Sequence, residues 1–471
     1  MTMNKLKAAL KKQKMKQHIK KYQNTHNKYE DDDDGSISSD DVDTLEEDYI
    51  GKIIEGQYII IKYIGRGTFS RVWLSYDFIN KKYIIFKAYF QDEEEEFKYE
   101  LSALNDIRNK NLLYNLRYNA SISCCFENSK TPNNCLLLPF KGLSISDIQD
   151  RCSDFDLRDV KHITKSILLS LDELHNIGYL HTDLKLDNIL SDFYSYSTSK
   201  FVGWFNNLNI GDQYQKLLEL NIPKDFSTFN KNKKRAQKRR ARHKTTTAIS
   251  IFVKKKINQY YHSDDEDDDA DEDNADVDNE DNEDEKDNDE DDEDDPYQNV
   301  DITKINFVLS DYSNASKISE IDPDEEYQIR AFRAPENVIG HTYNYKSELW
   351  TVGCIIWYLF TREYIFEPEL EGDNIKRDRE QLSLMEQYLG RIPKEVSERS
   401  ERYYELFDDS GKIKKHKKIN PINLEGQLKT LRNDLSVEEV ESVCHFLRKI
   451  WNYNTKTRIT IKEALRDEFL N

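Results

Sequence analysis

The sequence predicts an α+β chain: a β-rich first part with one main helix, a mostly helical second part, and a long disordered insert. Three observations predict it. Strand-like runs dominate residues 57–140, broken by one stretch of helical period at 92–107. Beyond residue 159, apolar residues recur at helical spacing. Hydrophobic residues make up only 37% of the 471, and the shortage is concentrated in roughly the first fifty residues and in 191–300. Setting both blocks aside leaves about three hundred residues of ordinary apolar content, the size of one two-lobed domain.

Charge and cysteine usage narrow the class. The formal net charge is −20, but 264–295 holds 24 Asp and Glu against one Lys, so that tract alone carries −23 and the rest sums to about +3. The acidity belongs to one segment that cannot bury enough apolar surface to offset its ordering entropy. The six cysteines form no CxxC pair, which disfavours a metal framework and points to free thiols in a reducing compartment. No apolar run reaches membrane-spanning length, and the Lys-rich start lacks the apolar core of a signal peptide.

Folding is expected to begin near Tyr49. From Gln57, YIIIKYIG runs into GRGTFSRVW at 65–73, and a second strand at 83–89 carries Lys87 within IIFKAY. A lone Gly-x-Gly is most often just a turn. Here it lies between two β-rich stretches, with a lysine flanked by apolar residues fifteen positions after Val72. Ile64, Gly65, Arg66, Gly67, Thr68, Phe69, Ser70, Arg71 and Val72 are therefore read as a loop whose N–H groups close over phosphates, with Lys87 gripping the α and β phosphates. Residues 92–107 follow as a helix with Phe97, Leu101 and Leu104 as its apolar stripe. Glu100 is taken as the partner of Lys87; Glu93, Glu94, Glu95 and Glu96 compete for that role, and plain solvation is the alternative. Strands at 121–126 and 135–140 come next, the second ending at 138–141, where Leu138 and the neighbouring backbone would meet an adenine edge. A long amphipathic helix at 159–175 (Val160, Ile163, Ile167, Leu168, Leu171, Leu174) leads into the most informative stretch.

Residues 181–190 read HTDLKLDNIL. Asp183, Lys185 and Asn188 stand at the spacing that phosphoryl transfer needs: a carboxylate to accept the proton of an attacking hydroxyl, a lysine to neutralise the transferring group, and an amide to hold a metal ion. A capping Asp and a solvated Lys are the commoner fate of such residues singly, but four matched positions in one decapeptide argue otherwise. After the polar block, NFVLSDYSNASK places Asp311 at the end of a short strand as a second metal ligand. Arg330, Arg333 and Ala334-Pro335-Glu336 follow, then an apolar helix at 345–360, and Arg458 is expected to pair with Glu336.

With these residues in hand, the chain resembles the eukaryotic-type serine/threonine protein kinases over roughly 57–471, and within them is most similar to the SR-protein kinase family. The marks are Phe69-Ser70 and WLSYD, Thr182 in HTD, QIRAFR from Gln328, NVIG from Asn337, YIFEP from Tyr364 followed by RDREQ and LG, and the position of the insert. The resemblance implies the bilobal protein kinase fold, ATP and Mg²⁺ as cofactors, and serine phosphorylation in Arg/Ser-rich or other basic substrates. It implies constitutive activity, since Thr182 leaves no cation beside Asp183 to read an activation-loop phosphate. It implies an acidic docking groove in which Glu363 and Glu380 keep their charge while Gln387 replaces an acid, with Asp378 and Asp373 nearby; a solvated charged loop is the plain alternative. Arg330 and Arg333 would lie beside the phosphoacceptor.

The chain then divides into a disordered basic/acidic tail (1–48), the N-lobe, hinge and catalytic loop (49–190), the low-complexity insert (191–300, basic at 231–244 and acidic at 264–295) and the rest of the C-lobe (301–471). Residues 193–229 keep enough aromatic character to pack partly on a lobe. In the resembled family the insert governs partition between cytoplasm and nucleus, so an intracellular protein in either compartment is expected, monomeric and without a membrane. Dedicated nucleic-acid binding is disfavoured, because no aromatic residues interleave the basic run. Two departures from the family pattern, Ser313 for a glycine and Glu348 for an aspartate, support a second reading, a pseudokinase or docking scaffold.

Overall fold

The computed structural model describes residues 49–124, 132–152, 154–262, 300–322, 325–369, 372–414 and 420–471. The expected tail at 1–48 and the acidic run at 264–295 lie outside the described residues. In chain order the elements are β1 (Ile53–Ile54), β2 (Tyr58–Arg66), β3 (Ser70–Asp77), β4 (Lys82–Tyr89), α1 (Glu94–Asn109), β5 (Ala120–Cys124), β6 (Asn133–Pro139), α2 (Ile145–Arg151), α3 (Leu157–Asn176), β7 (Tyr179–Leu180), β8 (Ile189–Ser191), α4 (Tyr196–Asn207), α5 (Ile210–Asn221), α6 (Lys231–His262), β9 (Phe307–Leu309), β10 (Ser316–Lys317), α7 (Pro335–Val338), α8 (Tyr345–Thr361), α9 (Asn374–Leu389), α10 (Lys394–Ser397), α11 (Tyr403–Leu406), α12 (Leu424–Leu431), α13 (Val437–Ile450) and α14 (Ile461–Ala464). This is the bilobal α+β protein kinase fold that the sequence predicts.

The chain forms two compact units. Among the described residues, the first takes in 49–94, 119–140 and 197–262; the second takes in 95–118, 141–196 and 300–471.

The first unit is built on one antiparallel sheet in the order β1-β2-β3-β4-β6-β5. Its strands alternate in side-chain direction, so the apolar run of β2 supplies both faces. Ile60 joins Trp73, Ile84, Phe86 and Leu137 on one face. Ile59, Ile61 and Leu74 face the other way, into a cluster with Phe201, Phe205, Ile210, Tyr214, Ile249, Val253 and Ile257. That second cluster agrees with the partial packing expected of 193–229 and corrects the expectation of disorder for the rest of the described insert: 196–262 folds as α4, α5 and α6 over the sheet. Composition hid this because α6 devotes only every fourth residue to the core: Ala241, Thr245, Ile249, Val253 and Ile257 are buried, while most of the remainder is polar. Tyr83 ties β4 to α4 by donating to the Val202 carbonyl (3.1 Å) and Asn206 Oδ1 (2.8 Å). The helix α6 crosses so closely that a Cβ on Gly51, whose φ is +83°, would lie 2.8 Å from the Ser250 carbonyl oxygen. Cys124 and Cys135 sit with sulfurs 3.3 Å apart as free thiols on adjacent strands.

The second unit centres on α3 and α8. Asp156 caps α3, accepting from the Arg158 and Asp159 N–H groups in a reciprocal capping box, and Val160, Ile163, Ile167, Leu168, Leu171 and Leu174 are buried along one face as expected. In α8, thirteen of seventeen residues are buried, so it is a core helix rather than a surface one. Short strand pairs β8-β9 and β7-β10 carry the loops of interest.

Candidate active site

In the second unit the stretch after α3 is held by backbone hydrogen bonds before any side chain acts. His181 is fully buried, with Nε2 2.9 Å from the Ser310 carbonyl. Thr182 adopts a left-handed φ of 66°, a costly conformation for a β-branched residue. Three contacts hold it there: its N–H donates to Glu348 Oε1 (2.8 Å), its Oγ1 donates to the Asn314 carbonyl (2.7 Å), and its carbonyl accepts from the Gln328 N–H (3.0 Å). Asp183 follows, with its side chain about a fifth exposed (21%) and Lys185 Nζ 3.4 Å from its Oδ2. Asn188 donates its Nδ2 to the Asp183 carbonyl (2.8 Å) and more weakly to Asp183 Oδ2 (3.3 Å), which leaves the amide oxygen as the end open to a cation.

Asp311 is brought to the same place from 123 residues further on. Strand β9 pairs with β8, and Ser310 donates both its N–H and its Oγ to the Asn188 carbonyl at 2.9 Å. Asp311 itself takes the left-handed conformation (φ 58°), while Ser313 does not. The backbone freedom that a glycine would supply at Ser313 is therefore not needed there. Tyr312 anchors the turn, donating to the Leu309 carbonyl (2.7 Å) and lying 3.0 Å from Asn115 Oδ1; full burial holds its phenol well above the usual range. Among the described residues no group of three or more His, Cys, Asp or Glu forms a metal cluster. An Asn and an Asp fit Mg²⁺, which takes few protein oxygens and completes its shell with water and phosphate.

Below the loop, Glu348 is fully buried and its Oε2 lies 2.6 Å from His175 Nε2. Sequence reasoning missed His175, whose one visible sign is its place in the last turn of α3, six residues before His181. Arg458 and Glu336 pair as expected, in a bidentate contact at 2.7 and 2.8 Å.

In the first unit the β2-β3 turn carries the glycine loop. Gly67 N–H donates to the Ser70 carbonyl (2.8 Å), and Phe69 accepts from the Phe90 N–H (3.0 Å). A Cβ on Gly65 would meet nothing within 4 Å, and one on Gly67 only Ser70 atoms at 3.7 Å, with neither residue at positive φ. Nothing in the fold itself demands glycine here, and the bare backbone leaves the turn open to the approach of an anion. Arg66 and Arg71 lie over the Phe90 ring, Ile64 is half exposed, and Thr68 sits at the tip. Val72 faces Lys87 across the β3-β4 ladder, and Lys87 faces Leu136 across β4-β6, with its Nζ 5.7 Å from the Tyr89 ring centroid. Leu138, largely buried, faces Ile85. Glu100 is buried on α1, whereas Glu94 and Glu95 are exposed; Glu93 is also buried.

The docking candidates differ among themselves. Glu363 is exposed, and Glu380 on α9 has a buried Oε2 without a hydrogen-bond donor. Asp378 is buried between Arg330 and Arg402, the latter at 2.7 Å, and Asp373 caps α9 through the Lys376 N–H (2.8 Å). Arg333 is buried beside Glu326 (3.4 Å) and donates to the Gln328 carbonyl; burial lowers its pKa.

One loop thus carries Asp183, Lys185 and Asn188, with Asp311 stitched beside it through Ser310. The chain belongs to the protein kinase domain family, whose model matches residues 58–202 and 297–470. It is similar to the "Serine/threonine-protein kinase SRPK" of Physarum polycephalum, 22% identical over 430 residues (89% of this chain and 87% of that one). A "Putative serine/threonine-protein kinase L205" of Acanthamoeba polyphaga mimivirus is 25% identical over 520 aligned positions, 95% of this chain and 94% of that one. The "Serine/threonine-protein kinase spk-1" of Caenorhabditis elegans is 30% identical over 176 residues, 37% of this chain but only 17% of the worm protein. Among solved structures, the kinase domain of PF14_0431 superposes with a TM-score of 0.52 at 18% identity, covering 90% of this chain and 97% of that one, a likeness of fold. Among the described residues no helix is long and apolar enough to cross a membrane.

Proposed function

We propose that this chain is an active serine/threonine protein kinase that moves the γ-phosphoryl of ATP to hydroxyls in Arg/Ser-rich or other basic proteins. The observation that carries this reading is the junction of Ser310 with the Asn188 carbonyl, which keeps Asp311 beside the loop that holds Asp183, Lys185 and Asn188. Asp183 accepts the proton of the attacking hydroxyl, and Lys185 offsets charge on the transferring group. Lys87 and the bare glycine loop orient the phosphates, Leu138 lies against the adenine, and Glu100 is the partner assigned to Lys87. Asn188 and Asp311 would hold Mg²⁺, which when bound neutralises phosphate charge.

Substrate choice rests on Glu363 and on the unpartnered oxygen of Glu380, which suit guanidinium groups. Arg330 and Arg333 are already engaged by Asp378 and Glu326, so a substrate phosphate would displace a carboxylate to reach them. Cytoplasmic and nuclear residence, with the basic run as the nuclear address, belongs to the same proposal. Phosphorylation of Arg-Ser, acidic and proline-directed peptides tests it. Arg-Ser preference is expected, with turnover abolished and ATP binding kept in Asp183→Ala; wild-type turnover in that variant refutes the assignment. A docking scaffold would instead bind nucleotide without Mg²⁺ dependence, or not at all.

A further inference from the structure

The helix α6 opens with a dense run of positive charge. Residues 231–244 hold nine Lys and Arg and no acid. Eight of the nine are exposed and Lys234 is half-buried, and none makes an ion pair among the described residues. At 1.5 Å per residue they crowd onto about 21 Å of helix. They also stand at the N-terminal end, where the helix dipole favours anions, and the first turn has no acid to offset them. The arrangement survives because the following half is fixed to the sheet: Ile249, Val253 and Ile257 are buried in the core of the first unit.

Two rings lie among these cations. Phe226 and Phe229 are half-buried just ahead of the helix; Lys233 Nζ is 3.7 Å from the Phe229 centroid, and Lys234 and Lys238 are 6.0 and 5.7 Å from that of Phe226. The aromatic partners that the basic run lacks in sequence are thus supplied by the fold. The run itself has no apolar residue larger than alanine, so it has nothing to sink into a bilayer.

We propose that the first half of α6, together with Phe226 and Phe229, is a docking surface for single-stranded nucleic acid. A row of helix-borne cations without an ion pair among the described residues matches an evenly charged phosphate backbone, and the rings give bases of any sequence a face to stack on. The surface is independent of phosphoryl transfer and of the residues assigned to it.

The test is fluorescence anisotropy of a labelled twenty-nucleotide RNA of mixed sequence with the full chain between 50 and 200 mM salt. Engagement of roughly five phosphates gives a log–log salt slope of about −3 to −4. The variant R235Q/K238Q/R239Q/R240Q/R242Q, in which glutamine keeps helix propensity, should bind at least about thirtyfold more weakly, and F226A/F229A about tenfold more weakly. Circular dichroism checks that the helix persists; should the fivefold variant lose it, K231Q/K233Q/K234Q gives the same readout on the first turn. A flat salt slope, unchanged affinity in the lysine and arginine variants, or equal binding to phosphatidylserine vesicles overturns the proposal. So does RNA binding that emerges only after removal of 264–295, since the chain's own acidic tract would then be what occupies the helix.

Discussion

Glu348 spans two residues at once: Oε1 accepts the Thr182 N–H at 2.8 Å, and Oε2 lies 2.6 Å from His175 Nε2. The extra methylene that set this residue apart in sequence is what lets one carboxylate reach both the strained residue before Asp183 and the end of α3. Glu348→Ala leaves a buried N–H unpaired, a loss of about 1–3 kcal/mol, and frees the conformation that presents Asp183. The expected result in steady-state kinetics is a kcat lowered at least about tenfold with the KM for ATP little changed. His175→Ala should lower kcat less, and His175→Gln should recover part of the loss. Wild-type kcat in all three would show that the junction does not position Asp183.

The pair Arg458 and Glu336 is bidentate, and the Arg458 side chain is completely buried. Removing either partner strands a charge away from water, so Arg458→Ala or Glu336→Ala should destabilise the chain by about 3–5 kcal/mol in chemical denaturation. The double variant should lose much less than the two single losses added together.

Alkaline stability follows from buried phenols. Burial, together with the hydrogen bond to Asp106, pushes Tyr179 up to about 12, and burial holds Tyr312 and Tyr343 well above their usual range. A group whose pKa is raised by folding keeps its contribution below the unfolded value, near pH 10, and loses it as pH climbs toward the folded value. Stability should therefore be flat from neutrality to about pH 10 and decline above it, and Tyr179→Phe should soften that decline. A denaturation midpoint that does not change between pH 9 and 12 would contradict the assignment.

The insert should matter to stability in its described part. Ile249 and Phe205 are both buried against the sheet. Ile249→Ala should cost about 2–5 kcal/mol and Phe205→Ala about 3–5 kcal/mol. Excising 196–262 should lower Tm rather than leave it untouched, as loss of a passive spacer would.

What the sequence disclosed, it disclosed through local pattern. The decapeptide at 181–190, the glycine turn and Lys87, Asp311 after its short strand, and the pairing of Glu336 with Arg458 were all readable, because each depends on spacing or on a residue type with few uses. The misses are of another kind. Glu348 was noticed but His175 was not, since their contact joins positions 173 apart and no periodicity links them. Asp378 read as a free docking acid, while the fold places it between Arg330 and Arg402. The helix α6 reads in sequence as structureless chain because one buried residue in four leaves a composition as polar as disorder.

Gly51 has no room for a side chain: its Cβ would sit 2.8 Å from the Ser250 oxygen and 3.0 Å from Lys254 Cβ. A glycine two residues ahead of β1 and a helix two hundred positions later are thereby fitted to each other. Any side chain at residue 51 would have to push α6 away from the sheet, so the turn ahead of β1 sets how closely that helix can lie.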